Sequence, residues 1–279
     1  MSKLVAPHGG KGLVCALLEG AEKDAELQKA AGLKQVEISA RAKGDLIMMG
    51  IGGFSPLDGF MTKADWKSVC ENFQLADGTF WPVPITLDVA KDDANAITTG
   101  DEIALEADGE IIATMKVAEK YDMTEADKKW ECEKVFMGAG EDSVDGKFWE
   151  VAPEDHPGVI MVMNQKDVNL AGPVKVLSEA EYPTRYKGVY VRPEESRRMF
   201  EERGWSDVAA LQLRNPMHRS HEYLCKIAVE VVDRALSKEG DLTADSLWPI
   251  NVRYFRDQGA KFAAILATVP SAGASTGSR

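Results

Sequence analysis

Cysteine and histidine are scarce in this 279-residue sequence, at four residues each. Cys15, Cys70, Cys132 and Cys225 are scattered, with no C-x-x-C pair and no short secreted frame. That spacing excludes a disulfide scaffold and leaves reduced, structural thiols as the expectation. Long apolar runs are missing too; VIMVM (159–163) falls far below the roughly 20 residues of a membrane span. The first twelve residues hold no apolar h-region, so no signal peptide is expected, and the location expected is cytoplasmic. Positive charge is in deficit, with 33 Lys and Arg against 45 Asp and Glu and a net charge of −12. Duplex nucleic acid and anionic membranes demand clustered cations, so neither is an expected partner. A small anion needs only a few local donors and stays open. What is present is ordinary globular composition, 44% hydrophobic and 28% charged, which excludes disorder, collagen and coiled coil.

The length is near that of two average domains, and no internal repeat is visible. Residues 20–31 read as a helix ended by Gly32 at C′. Thr62 is placed to cap a helix through Asn72, with Asp65 at the capping-box position. Val83, Ile85, Leu87 and Val89 alternate with Pro84, Thr86 and Asp88, the period of a half-buried edge strand. The segment IALEADGEIIATMKV (103–117) is the clearest hairpin, with Asp108-Gly109 as a two-residue turn. A helix capped by Thr124 follows, then loop-like composition over 137–147 and an apolar strand over 159–163. These features place a β-rich domain over 1–168 and an α/β domain over 169–279. In the latter, Pro193 fits N1 of a helix, Glu194 and Glu195 favour its positive end, and Gly204 fits C′. WSDVAALQL (205–213) reads as a strand. An amphipathic helix then runs to about Leu236, with Leu224, Ile227, Ala228, Val231 and Ala235 on its buried face.

Gln212, Arg214, Asn215, His218 and His221 fall within ten residues at this strand–loop–helix junction. Ligands of open α/β sheets bind beyond the carboxyl ends of strands, and a helix N-terminus presents free N–H groups to phosphate or sulfate. Arg214 adds a permanent cation whose planar fork grips two oxygens of a tetrahedral anion. His218 and His221, three apart, project from one face of the first turn. Plain alternatives stand beside this reading: Arg214 in a surface ion pair, and Asn215-Pro216 as a turn and helix start. H-x-x-H without a third ligand is a poor zinc site, since H-x-x-x-H is the commoner helical spacing, so no metal is expected there.

QLRNPMHRSHEYL (212–224) resembles the active-site segment of ATP sulfurylases (sulfate adenylyltransferases), whose pattern is QxRNPxHxxH. GGFSPLDGFM (52–61), WPVPITLDV (81–89), DHPGV (155–159) and RPEESRRMFEERGW (192–205) match in order, so the resemblance covers roughly residues 1–232. It implies a mixed α/β chain: a PUA-like β-rich domain, architectural here rather than RNA-binding, followed by a Rossmann-like nucleotidyltransferase domain. It also implies conversion of ATP and sulfate to adenosine 5′-phosphosulfate and pyrophosphate in sulfur metabolism, sulfate assimilation included. Gln212 and Arg214 would hold sulfate, while the 212–215 backbone with Asn215 would contact ATP phosphates. His218 and His221 would engage the nucleotide phosphates. Leu213 stands where many members carry Thr, so it receives no hydroxyl chemistry. Thr62, Cys132 and Gly52-Gly53 are structural on this reading. Mg²⁺ would arrive with ATP, with no tightly bound protein metal.

The family's downstream GRDHAG-type loop, whose Arg and His complete the phosphate site, has no counterpart in this sequence, so the second domain is expected to be shortened and its Rossmann-like fold incomplete. No P-loop of the form GxxxxGK[ST] is present, so no fused adenylylsulfate kinase is expected. The rival expectations are a catalytically impaired nucleotide- or anion-binding relic of the family and, less well supported, a PUA-type RNA-binding module. A homo-oligomer is left open by the exposed edge of a shortened sheet.

Overall fold

In the computed structural model, which describes residues 4–136, 156–204, 208–213, 218–236 and 262–267, the chain divides into two units. The first is Pro7–Pro193, and the second joins Met1–Ala6 to Glu194–Arg279. The elements of the first unit are α1 (Gly20–Ala30), β1 (Lys34–Glu37), α2 (Ala40–Gly50), β2 (Gly59–Phe60), α3 (Lys63–Asn72), β3 (Leu87–Val89), α4 (Lys91–Asn95), β4 (Glu102–Ala107), β5 (Glu110–Lys116), β6 (Glu119–Asp122), α5 (Glu125–Phe136), α6 (Pro157–Met163), β7 (Val168–Val176) and α7 (Tyr182–Arg185).

One strand organises this unit. The first half of β7 pairs antiparallel with β3 and β6, its second half with β2 and β5, and the sheet continues through β4 to a parallel β1. Residues 168–172 of β7 are all buried, as expected of a strand covered on both faces. Gly172 and Pro173 mark the change of neighbours, since Pro173 has no N–H to give a ladder. Because β7 is the hub of this sheet, the units divide between Pro193 and Glu194 rather than near 168. Leu46, Met49, Leu87, Leu105, Ile112 and Leu170 are fully buried around it.

Local sequence explains most elements. Asp108 (φ 55°) and Gly109 (φ 80°) both take positive φ, the two-residue turn that joins β4 to β5. The Thr62 hydroxyl accepts the Asp65 N–H at 3.1 Å and donates to the Asp65 carboxylate at 2.8 Å. Thr124 and Asp127 complete a reciprocal capping box, the Thr124 N–H donating to the Asp127 carboxylate at 2.9 Å and the Asp127 N–H to the Thr124 hydroxyl at 3.1 Å. Proline stands at N1 of α8 (Pro193–Glu202), and Gly204 (φ 72°) follows its end.

Four expectations are corrected. The run 159–163 is helical: Pro157 sits at N1 and the His156 ring accepts the Gly158 N–H at 3.1 Å. Val159 and Val162 are buried beside Phe136 while Ile160 and Met161 are exposed, a helical period that five consecutive apolar residues conceal. The alternating 83–89 segment is a strand only over Leu87–Val89, with Val83 exposed. Gly32 is not left-handed; α1 ends through Ala31 in the right-handed region, and the Gly32 N–H donates to Lys29. On α9 (Arg219–Leu236), Leu224 and Ile227 are exposed and Cys225 is buried instead.

Two polar arrangements are built into the first unit. The Trp66 Nε1–H donates to the Glu131 carboxylate at 2.7 Å, with both residues buried. Arg192 binds Glu179 through Nε at 3.0 Å and Nη2 at 2.5 Å, reaches Glu19 at 2.7 Å, and Tyr190 donates to Glu179 at 2.9 Å. That cluster pins the segment leaving α7 to the start of α1. In the second unit, α9 packs on β8 (Val208–Leu213) and β9 (Phe262–Ala267), which pair antiparallel with each other. The parallel pairing characteristic of a Rossmann-like sheet does not occur among the described residues of this unit.

Candidate functional site

The strand–loop–helix order read from the sequence is present. Gln212 and Leu213 end β8, and α9 begins at Arg219. Arg214 and Asn215 lie outside the described residues. His218 precedes α9 as its N-cap residue, with its carbonyl accepting the His221 N–H at 2.9 Å and the Glu222 N–H at 3.2 Å.

The two histidines come together. Their ring centroids are 3.8 Å apart with 40° between planes, and the His218 backbone N–H donates to His221 Nδ1 at 3.2 Å. His218 is exposed and His221 half-buried. The amides of Arg219 and Ser220 follow at the positive end of the helix, the orientation that favours an anion. Sequence reasoning placed both histidines on one face but missed the ring-to-amide bond. Its signal was available: position N3 of a helix is where a capping box returns to the N-cap amide, and His221 is three residues after His218.

Beside this turn a surface cleft of about 580 Å³ is lined by Arg219, Ser220, Glu222, Tyr223 and Lys226. Lys226 donates to Glu222 at 2.8 Å and holds its carboxyl below the ordinary range. Arg219 and Lys226 were not among the residues singled out from the sequence, because charges on an exposed helix face look the same whether or not they line a cleft. No group of three or more His, Cys, Asp or Glu able to hold a metal occurs among the described residues. Burial pushes the Cys225 thiol up, away from the thiolate a metal would need. All four cysteines are free, and no described helix is long and apolar enough to cross a membrane.

Residues 5–179 match the PUA-like domain family, well over half the chain, and residues 187–244 match ATP-sulfurylase, a stretch that contains α8, β8 and the described α9. The class is therefore a PUA-like domain joined to an ATP-sulfurylase segment. The sulfate adenylyltransferase of Desulfatibacillum aliphaticivorans is 68% identical over 254 residues, covering 88% of this chain and 60% of that protein. That of Desulfovibrio desulfuricans is 66% identical over 252 residues, covering 88% and 59%. The chain belongs to the PUA-like domain family through residues 5–179, and it spans about 60% of the length of these two sulfate adenylyltransferases. A solved structure described as a hexameric APS kinase from Thiobacillus denitrificans aligns over 82% of this chain and 38% of its own, with a TM-score of 0.60 and 25% identity.

Proposed function

We propose that this chain is a nucleotidyltransferase, the ATP- and sulfate-handling part of a cytoplasmic sulfate adenylyltransferase. The observation that carries the reading is the ATP-sulfurylase match over 187–244, which includes Gln212 to His221 at the junction of β8 and α9. In the reaction, a sulfate oxygen attacks the α-phosphorus of ATP in line. The bond from that phosphorus to the bridging oxygen breaks, and pyrophosphate leaves from the opposite side with the electron pair. The protein supplies no nucleophile. Its work is to hold two mutually repelling anions in line and to stabilise the charge that moves toward the leaving group.

Arg214, with Gln212, offsets the sulfate charge. The 212–215 backbone and Asn215 contact the ATP phosphates, while Leu213 contributes backbone alone. His218 and His221 donate toward the α- and β-phosphates, assisted by the first amides of α9. Mg²⁺ would arrive with ATP and would offset phosphate charge; Glu222, in the first turn of α9, is engaged by Lys226, which fits a metal carried by substrate. The net charge of −12 favours this reading over RNA binding. A homo-oligomer is supported by the hexameric state named for the Thiobacillus denitrificans structure.

The test is pyrophosphate release from Mg-ATP with and without molybdate, a sulfate mimic whose mixed anhydride hydrolyses and draws the reaction forward. Molybdate-dependent release is expected. Absence of both that release and Mg-ATP binding would overturn the reading.

A further inference from the structure

We propose that His221 works in one fixed neutral tautomer, in which Nδ1 caps α9 and Nε2–H is the donor offered to a nucleotide phosphate. The second half of this statement rests on the functional reading above; the first half stands on geometry alone.

The first turn of a helix leaves N–H groups without intrahelical acceptors. At α9, the His218 N–H donates to His221 Nδ1 at 3.2 Å, and the His221 N–H donates to the His218 carbonyl at 2.9 Å. Among the described residues, the amides of Arg219 and Ser220 have no intrahelical acceptor. An N–H can donate to a ring nitrogen only where that nitrogen carries a lone pair, so Nδ1 is unprotonated and the ring proton of the neutral imidazole stands on Nε2. The capping bond thus selects the tautomer and fixes the ring plane, which also rests against His218 at a centroid distance of 3.8 Å.

This arrangement explains why a histidine occupies a position where Glu or Gln is the usual choice. Glutamate would cap the amide equally well but would bring a full negative charge to the end of the helix where phosphates dock. Serine or alanine would leave the His218 amide without its acceptor. Imidazole accepts at one ring nitrogen and donates at the other, so a single side chain satisfies the helix and still presents an uncharged donor. Gln also accepts and donates at its terminus, through its carbonyl oxygen and its NH₂, and it is an ordinary capping-box residue at this position.

The experiment compares wild type with His221→Gln, His221→Glu and His221→Ala in the full chain. Imidazole nitrogen shifts of the isotope-labelled protein near neutral pH should show His221 protonated on Nε2, with that nitrogen shifting when Mg-ATP is added. Thermal midpoints should be held by Gln and Glu and lowered by roughly 2–4 °C in the Ala variant, the size of one lost cap. Mg-ATP affinity measured by calorimetry should stay within about tenfold for Gln and fall roughly 10–100-fold for Glu and Ala. A proton on Nδ1, or a Gln variant no more stable than Ala, would overturn the capping assignment. A Gln variant that binds as poorly as Ala would overturn the donor role. If wild type itself fails to bind Mg-ATP, the functional reading falls, while the tautomer and the order of midpoints still decide the cap.

Discussion

A β-carbon built on Gly59 would lie 1.9 Å from the carbonyl oxygen of Gly172. These two glycines stand where β2 meets β7, in the register Gly59 to Pro173 and Phe60 to Gly172. Gly172 takes φ 149°, and a β-carbon there would meet the Lys116 carbonyl oxygen at 2.1 Å. Backbone atoms, not movable side-chain ends, fill both spaces. The hub strand therefore changes neighbours at a point where three segments of main chain approach more closely than any side chain permits.

Gly172→Ala should destabilise the first unit by about 3 kcal/mol or more, combining backbone strain with overpacking. Gly44→Ala in α2 is the control: its β-carbon meets nothing within 4 Å, so removing a mid-helix glycine should stabilise by about 0.5–1 kcal/mol. Urea midpoints decide it. Equal shifts for both variants would show that close approach at Gly172 carries no cost.

The Trp66–Glu131 bond is the second stability test. Burial raises the Glu131 carboxyl, and the Trp66 hydrogen bond, with Arg41, pulls it back only in part. Trp66→Phe leaves a buried carboxyl without its donor and should cost about 2–3 kcal/mol. Glu131→Leu in addition should recover part of that loss, since both groups of the pair are then removed. A double variant whose loss equals the sum of the single losses would show that the bond contributes no coupling.

Asp45 and Glu179 should move stability in opposite senses with pH. Burial lifts the Asp45 carboxyl to about 6 despite an opposing pull from Arg41. Unfolded, it titrates near 4. Between about pH 4 and 6 the folded chain thus binds a proton that the unfolded chain has released, and stability falls as pH rises through that window. Asp45→Asn should abolish that fall and be more stable than wild type at pH 7 by about 1–3 kcal/mol. Denaturant midpoints across the range, superimposed for wild type and Asp45→Asn, would contradict the assignment.

Burial also works to raise Glu179, but the hydrogen bonds from Arg192 and Tyr190 outweigh it and hold the carboxyl below its ordinary range. Its contribution is present above the unfolded value near 4.5 and is lost as pH falls through the lower folded value. Arg192→Ala should cost about 1–2 kcal/mol near neutral pH, kept modest because the Arg192 side chain is 38% exposed and solvent screens it. The difference from wild type should shrink below pH 4 as Glu179 protonates. A difference constant with acidification would mean that the guanidinium acts through packing alone.

Sequence carried the locally encoded elements furthest. Asp108-Gly109, Thr62 with Asp65, Thr124, and Pro193 with Gly204 each state a turn or a helix end in a few residues, and each stands where it was read. The order Gln212–Leu213, then His218 and His221, was legible as strand, loop and helix because apolar period and the proline agree. Features fixed by distant partners were not legible. Five apolar residues at 159–163 hold no period of their own, and only Phe136 and Cys132 across the helix pair decide which face is buried. The hub role of β7 depends on four partners drawn from residues 59–122. Arg192 and Glu179 are thirteen residues apart, and only the fold brings Glu19 and Tyr190 to them.

The last prediction concerns sulfate. Arg214 follows Leu213, the last residue of β8, and under the proposed function it meets sulfate while His221 and the first amides of α9 meet phosphate. Those helix-end donors are neutral, whereas sulfate carries two negative charges and must approach ATP, which carries more. Neutral donors orient such an anion but do not cancel its repulsion; a fixed planar cation does both. One charged contact contributes about 1.5–3 kcal/mol, or roughly 10–150-fold in affinity. Arg214→Ala should therefore raise the molybdate concentration needed for half-maximal pyrophosphate release by roughly 10–100-fold, while Mg-ATP binding and the circular dichroism spectrum stay close to wild type. Arg214→Lys should recover only part of the loss, because it restores the charge without the fork. An unchanged molybdate dependence would remove Arg214 from the sulfate site. A parallel loss of Mg-ATP binding would move it to the phosphates instead, leaving Gln212 and the loop backbone to hold the oxyanion.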